Sequence, residues 1–160
     1  MAITAADVSK LRKITGAGMM DCKTALNEAG GDFDKAVDII RKKGQAIANK
    51  RADRDATEGV VLSKVSPDGK KGALIVLNSE TDFVAKNESF IALAQSILDL
   101  ALESNATTVD EVNELKLNGV AVKDVITQQI GIIGEKLELP YFEVLKAENV
   151  VSYIHPGNKL

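Results

Sequence analysis

The six residues Gly72-Ala73-Leu74-Ile75-Val76-Leu77 constrain this chain more than any other stretch. They form an unbroken apolar run with β-branched residues at its centre, the length and composition of a strand covered on both faces. Glu58 to Val65 reads as a preceding strand. Ser66-Pro67-Asp68-Gly69-Lys70-Lys71-Gly72 reads as the turn and Ala73 to Leu77 as the antiparallel return. The exit of this hairpin is unusual. Asn87 is placed to cap a helix that starts at Glu88, which leaves Glu80 to Lys86 as the connection. A connection should be polar, yet this one carries Phe83 and Val84 between Asp82 and Lys86. Two readings of Phe83 follow: a staple folded back on the next helix, or an aromatic presented to a partner's pocket with Asp82 as a directional hydrogen bond beside it. Periodicity does not choose between them.

After Glu88, Phe90, Leu93, Ala94, Ile97, Leu98, Ala101 and Leu102 recur at helical spacing and predict a long, largely buried helix through about residue 103. Thr108-Val109-Asp110-Glu111 has the form of a capping box for a short helix. Val122, Val125, Ile126, Ile130 and Ile133 mark another, from about Val122 to Gly134. Pro140 is expected to prevent its continuation, with Tyr141 to Ile154 returning as extended chain, alternating around Phe142 and Val144 and again around Val151 and Tyr153. Strands, helices and a closing strand give an α+β fold class.

Ahead of the hairpin lie three short helical patterns. Thr4 caps the first, with Asp7 at its third position, Val8, Leu11 and Ile14 on one face and Gly16 as the stop. The second starts near Gly18, lines up Cys22, Ala25, Leu26 and Ala29, and ends at Gly30-Gly31. Asp32 caps the third, whose inward stripe is Phe33, Ala36, Val37 and Ile40 and whose expected end is Gly44. Met19 and Met20 are adjacent, so about 100° apart on a helix, and cannot both point inward. One is therefore expected at the surface. From Arg41 to Arg54, six basic residues stand against one acid, Asp53, with no sustained apolar stripe. This reads as a solvated linker with the domain boundary near 55. A phosphate-binding patch is the alternative, but no aromatic is interleaved with the charges.

Composition narrows the function. The chain has 160 residues, 45% hydrophobic and 27% charged, with a net charge of −3, which is globular and gives no overall pull towards nucleic acid or anionic membrane. Aromatics make up 4% with no Trp, so a base-stacking platform has no material. The single cysteine, Cys22, fits a reducing compartment. No leader opens the chain and no run of about 18 apolar residues spans a bilayer, so a cytoplasmic location is expected. Chemistry lacks a constellation: His155 is the lone histidine, Cys22 has no partner cysteine, and no phosphate-binding Gly-rich loop precedes a Lys-Ser or Lys-Thr pair. Glu80 and Asp82 form a carboxylate pair with no histidine near them in sequence. The expectation is no enzyme, no metal, no cofactor and no nucleotide bound by the chain itself.

Thr81-Asp82-Phe83-Val84-Ala85-Lys86 resembles a signature of the bacterial elongation factor Ts family. Leu11-Arg12-Lys13-Ile14-Thr15-Gly16-Ala17-Gly18-Met19-Met20-Asp21-Cys22-Lys23-Thr24-Ala25-Leu26 resembles the N-terminal domain of the same family almost position for position. The resemblance implies a three-helix, ubiquitin-associated-like domain over 1–44, a basic linker over 45–55 and, over 56–160, the first half of the family's core, an antiparallel sheet packed by helices. It also implies a nonenzymatic guanine nucleotide exchange factor of translation elongation, with elongation factor Tu as partner. Thr81, Asp82, Phe83 and Val84 would then disturb the partner's Mg²⁺ and phosphate site, Phe83 as wedge and Asp82 as polar anchor, while Arg12, Met19 and Met20 would meet its GTP-binding domain. Members continue beyond the Tyr153-Ile154-His155 region, so a part of a longer protein is expected, with an edge after Pro140 open to self-association. Two other readings compete: a ubiquitin-associated-type adaptor, and an RNA-binding protein using Arg41 to Arg54.

Overall fold

Each of the first three helices in the computed structural model, which describes residues 3–156, begins where the chain can satisfy or expose free amides. Helix α1 (Ala5–Thr15) opens at Thr4, whose hydroxyl accepts from the Asp7 amide while the Asp7 carboxylate accepts from the Thr4 amide and hydroxyl. The Thr4 hydroxyl and then its amide hold the Asp7 carboxyl below its ordinary pKa. Gly16, at φ +70°, ends the helix in the left-handed region that a side chain would resist. Helix α2 (Met19–Glu28) and helix α3 (Phe33–Lys50), capped by Asp32, complete the group. Val8, Leu11, Ala17, Cys22, Ala25, Leu26 and Ala36 form its buried core, with Phe33, Val37 and Ile40 packed against them. Ile14, expected inside, is 59% exposed.

The hairpin follows as expected, with β1 (Glu58–Val65) antiparallel to β2 (Lys71–Ser79). Two elements then follow β2 directly: a single helical turn, α4 (Asp82–Ala85), and the long helix α5 (Glu88–Glu103). Helix α6 (Val109–Glu114) carries the expected capping box, Thr108 with Glu111. A two-residue hairpin, β3 (Lys116–Leu117) with β4 (Val120–Ala121), comes next, then α7 (Val122–Ile133) and β5 (Leu137–Lys146). The main sheet has the order β1-β2-β5, antiparallel throughout. Val60, Leu62, Ala73, Ile75, Leu77 and Phe142 are buried in it, and α5 lies against β1 and β2 with Phe90, Ala94, Ile97, Leu98 and Ala101 buried. Helices and a small antiparallel sheet packed by helices make the fold α+β.

Three sequence expectations need correction. Pro140 lies inside β5 rather than ahead of the extended segment. The register between β2 and β5 shifts between Val76 and Asn78, and β5 is an edge strand, so a residue with no amide hydrogen is accommodated there. The second alternation, around Val151 and Tyr153, does not form a strand. Gly44 does not end α3, which runs on to Lys50, so the first part of the expected basic linker is helix. Gly44 is instead where α7 comes close: a β-carbon built on Gly131 would sit 2.5 Å from the Gly44 Cα.

The chain divides into two compact units. One contains the chain up to Ala52 together with Thr127–Gly134, the other Asp53–Ile126 together with the chain from Glu135 onward. The division falls within α7, between Ile126 and Thr127. The last four positions of the expected 56–160 segment lie outside the described residues.

In the second unit, Lys71 ties the sheet to the end of α5. Its Nζ donates to the carbonyls of Leu102 and Ser104, both at 2.6 Å, groups at a helix end that lack helical partners. Burial, and then the charge of Lys146, lower its pKa from the ordinary 10.5. Lys71→Met keeps the stem but strips both carbonyls of their donor. Chemical denaturation should show a loss of about 1–3 kcal/mol, and an unchanged midpoint would mean that water replaces the ammonium at no cost.

Candidate functional site

The connection after β2 is built from local rules first. Thr81 is the N-cap of α4: its hydroxyl accepts from the Val84 amide at 3.4 Å, and its carbonyl accepts from the Ala85 amide at 3.2 Å. The Lys86 amide bonds to the Asp82 carbonyl at 3.0 Å and the Asn87 amide to that of Val84 at 3.0 Å, closing one turn. Asn87 at once caps α5, its side chain accepting from Ser89. From sequence this stretch is only a connection, because four residues are too few to show a helical period. Threonine followed by an acid, as at Thr81-Asp82, was the available signal for a helix start.

Phe83 is 84% exposed. A ring in that position is not a staple on the following helix, whose inward aromatic position is filled by Phe90. Behind the turn, Ala85 is buried and Val84 half-buried, so the turn sits on its small side and holds the aromatic outward. Beside it, Asp82 is ion-paired with Lys86 at 2.5 Å, one helical turn on. The Asp82 carboxylate, first by hydrogen bond and then by charge, raises the Lys86 pKa above its ordinary value. Such an exposed pair contributes little to stability, but it orients the carboxylate next to the ring.

Ser79 and Glu80, given no role from the sequence, support the turn from behind. Ser79 is fully buried and its hydroxyl donates to the Thr81 carbonyl at 3.0 Å. Glu80 Oε1 accepts from the Lys136 amide at 2.6 Å. Glu135 was also missed: its two oxygens accept from the Thr81 hydroxyl at 2.7 Å and the Thr81 amide at 3.1 Å. No local pattern points to a partner so distant in sequence.

Arg12, Met19 and Met20 belong to the other compact unit. Arg12 is exposed on α1, and at the start of α2 Met19 is 45% and Met20 70% exposed. Both methionines face solvent, where one was expected to. Ala17 and Cys22 fill the interior around the turn, so neither longer side chain is needed there. Exposed thioethers are flexible, polarizable groups suited to an adaptable contact. Among the described residues, no group of three His, Cys, Asp or Glu side chains is placed to hold a metal ion, and no helix is long and apolar enough to cross a membrane.

Comparison with known proteins meets this geometry at the turn itself. The family model described as Elongation factor TS matches residues 80–160, beginning one residue before the capping Thr81. An elongation factor Ts of Amoebophilus asiaticus is 54% identical over 160 residues, covering 100% of this chain and 58% of that protein. One from Christiangramia forsetii is 54% identical over 158 residues, 99% of this chain and 57% of its own length. One from Rhodopirellula baltica is 53% identical over 158 residues, again 99% of this chain but 48% of its own. The chain thus spans about half to three fifths of these relatives. With a family model matched from the exposed turn onward and identity above one half along almost every residue, the chain belongs to the elongation factor Ts family.

Proposed function

We propose that this chain is the partner-contacting part of a guanine nucleotide exchange factor of translation elongation, binding elongation factor Tu in the cytoplasm and catalysing no bond-making step of its own. The observation that carries the reading is Phe83: a large aromatic held almost wholly in solvent on a braced helical turn, next to an oriented carboxylate. Leaving an aromatic there costs apolar hydration, which a partner's pocket would remove. The mechanism is linkage. A protein that binds the nucleotide-free GTPase more tightly than the nucleotide-bound form must weaken nucleotide binding by the same factor. Phe83 acts as the wedge and Asp82 as the polar anchor, with Thr81 and Val84 shaping the turn. Disturbing the partner's Mg²⁺ uncovers phosphate charge and speeds GDP release. Arg12, Met19 and Met20 supply a second contact with the same partner.

The test compares the affinity of this chain for elongation factor Tu with and without GDP, alongside the rate of release of a fluorescent GDP. Tighter binding to the nucleotide-free form and faster release are expected. Equal affinity for the two forms would rule out exchange by linkage. RNA recovered in place of the GTPase would favour binding through Arg41 to Arg54, although Lys43 of that run is already engaged by Asp21.

A further inference from the structure

A single turn of four residues does not hold its shape alone, because nucleating a helix fixes several dihedrals for the gain of one hydrogen bond. The brace lies far away in sequence. Both oxygens of Glu135 are spent on Thr81, one on its hydroxyl and one on its amide. By accepting the hydroxyl's hydrogen bond, Glu135 leaves the Thr81 oxygen to accept from Val84, so the carboxylate sets the rotamer that caps α4. The neighbouring residues return the contact, with Glu80 accepting from the Lys136 amide. Lys136 is itself anchored, its Nζ donating to the Arg54 carbonyl at 2.9 Å and pairing with Glu138 at 3.3 Å. Residues 80–81 and 135–136 thus form a reciprocal clasp in which each segment contributes one carboxylate and one backbone N–H. Hydrogen bonds to an ionised carboxylate are the stronger kind, and Glu135 is half-buried, which limits competition from water.

We infer that Glu135 is a positioning residue for the Asp82-Phe83 turn: it pre-orders α4 so that the ring is presented in one orientation, and it acts through Thr81 rather than by touching a partner. The inference rests on the exchange-factor reading of that turn. Ordering a contact before binding lowers the entropic cost of the encounter, and a turn that is only partly formed lowers apparent affinity by the fraction formed.

The test uses the 160-residue chain with Glu135→Ala and Glu135→Gln. Hydrogen exchange at the amides of Val84, Ala85 and Lys86 should speed up about tenfold or more in Glu135→Ala. Glu135→Gln, which still accepts one bond, should restore part of the protection, and strand β2 should keep its protection in both. Affinity for nucleotide-free elongation factor Tu should fall about tenfold in Glu135→Ala. In a Phe83→Ala background the same change should add almost nothing, because the ring being positioned is gone. Unchanged exchange in α4 overturns the proposal. So does an undiminished affinity loss in the Phe83→Ala background, which would make Glu135 a direct contact, or a general collapse of protection, which would make it a fold residue. If Phe83→Ala alone leaves GTPase binding intact, the exchange-factor reading fails, and exchange at α4 by itself then decides whether Glu135 orders the turn.

Discussion

Phe83→Ala should reduce affinity for elongation factor Tu by about 30-fold or more, roughly 2 kcal/mol, while the melting temperature stays within a degree or two of the unsubstituted chain. The two halves of this expectation have one origin. With 84% of its surface in solvent, Phe83 contributes little buried area to the fold, and truncations at such positions change stability by about 0.5 kcal/mol or less. In a partner's pocket the same ring would lose most of its water, which places it among the aromatic anchors that dominate interfaces. Stimulated GDP release should fall together with affinity. Asp82→Ala should move both quantities in the same direction by a smaller amount, since Lys86 would lose its ion pair and the turn its oriented carboxylate. Two results would end the wedge assignment: full stimulation of GDP release by Phe83→Ala, or a melting temperature that collapses as a core truncation would make it do.

The other large effect belongs to Gly131. Replacing a helical glycine with leucine ordinarily stabilises, by up to about 1 kcal/mol, through the unfolded chain's lost freedom and better helix propensity. At this position a β-carbon would meet the Gly44 Cα at 2.5 Å, with the Gly44 nitrogen at 3.5 Å. Both are backbone atoms of a helix and cannot swing aside. Overpacking of this sort costs typically 1–3 kcal/mol and sometimes more, and a leucine adds three further carbons beyond the first. The clash wins, and Gly131→Leu should be destabilised by about 2 kcal/mol. Gly44→Ala is the control, because a β-carbon on Gly44 meets its nearest neighbour, the Thr127 carbonyl oxygen, at 3.5 Å, an ordinary contact. Two glycines facing each other should therefore respond differently, the first losing stability in urea denaturation and the second unchanged or gaining. Equal responses would mean that the helices do not cross at the distance observed.

What could be read from the chain, and what could not, follows the range of the interaction. The caps at Thr4, Asp32, Asn87 and Thr108 were legible because each acts on amides two or three residues away. The strands of the hairpin were legible because their burial patterns are written in consecutive residues. Helix α4 was not, since one turn contains no repeat. The hairpin of β3 and β4 was missed although its Asn118-Gly119 turn, with φ of 53° and 85°, is the residue pair that two-residue loops prefer. Its strands have two residues each, too short to show alternation. Glycine at the end of an apolar stripe usually means a helix stop, but Gly44 lies inside α3, at the point where Gly131 of α7 approaches its backbone. At the exposed turn, the proposed contact residues come from resemblance, whereas the pairing of Glu135 with Thr81 is one that only the folded chain reveals.

The crossing of α3 with the second half of α7 also sets an order of events. A chain made from its N-terminus has α1, α2 and α3 complete once residue 50 has emerged, and their mutual contacts are local and fast to form. The glycine that α3 is shaped to receive arrives only after more than half of the chain's length has followed. Until then the strip of α3 around Gly44 has no cover from Thr127–Gly134. The first unit is therefore the first to begin folding but stays incomplete long after α3 has been made, and its last contact closes only when β1, β2 and α5 have already been synthesised.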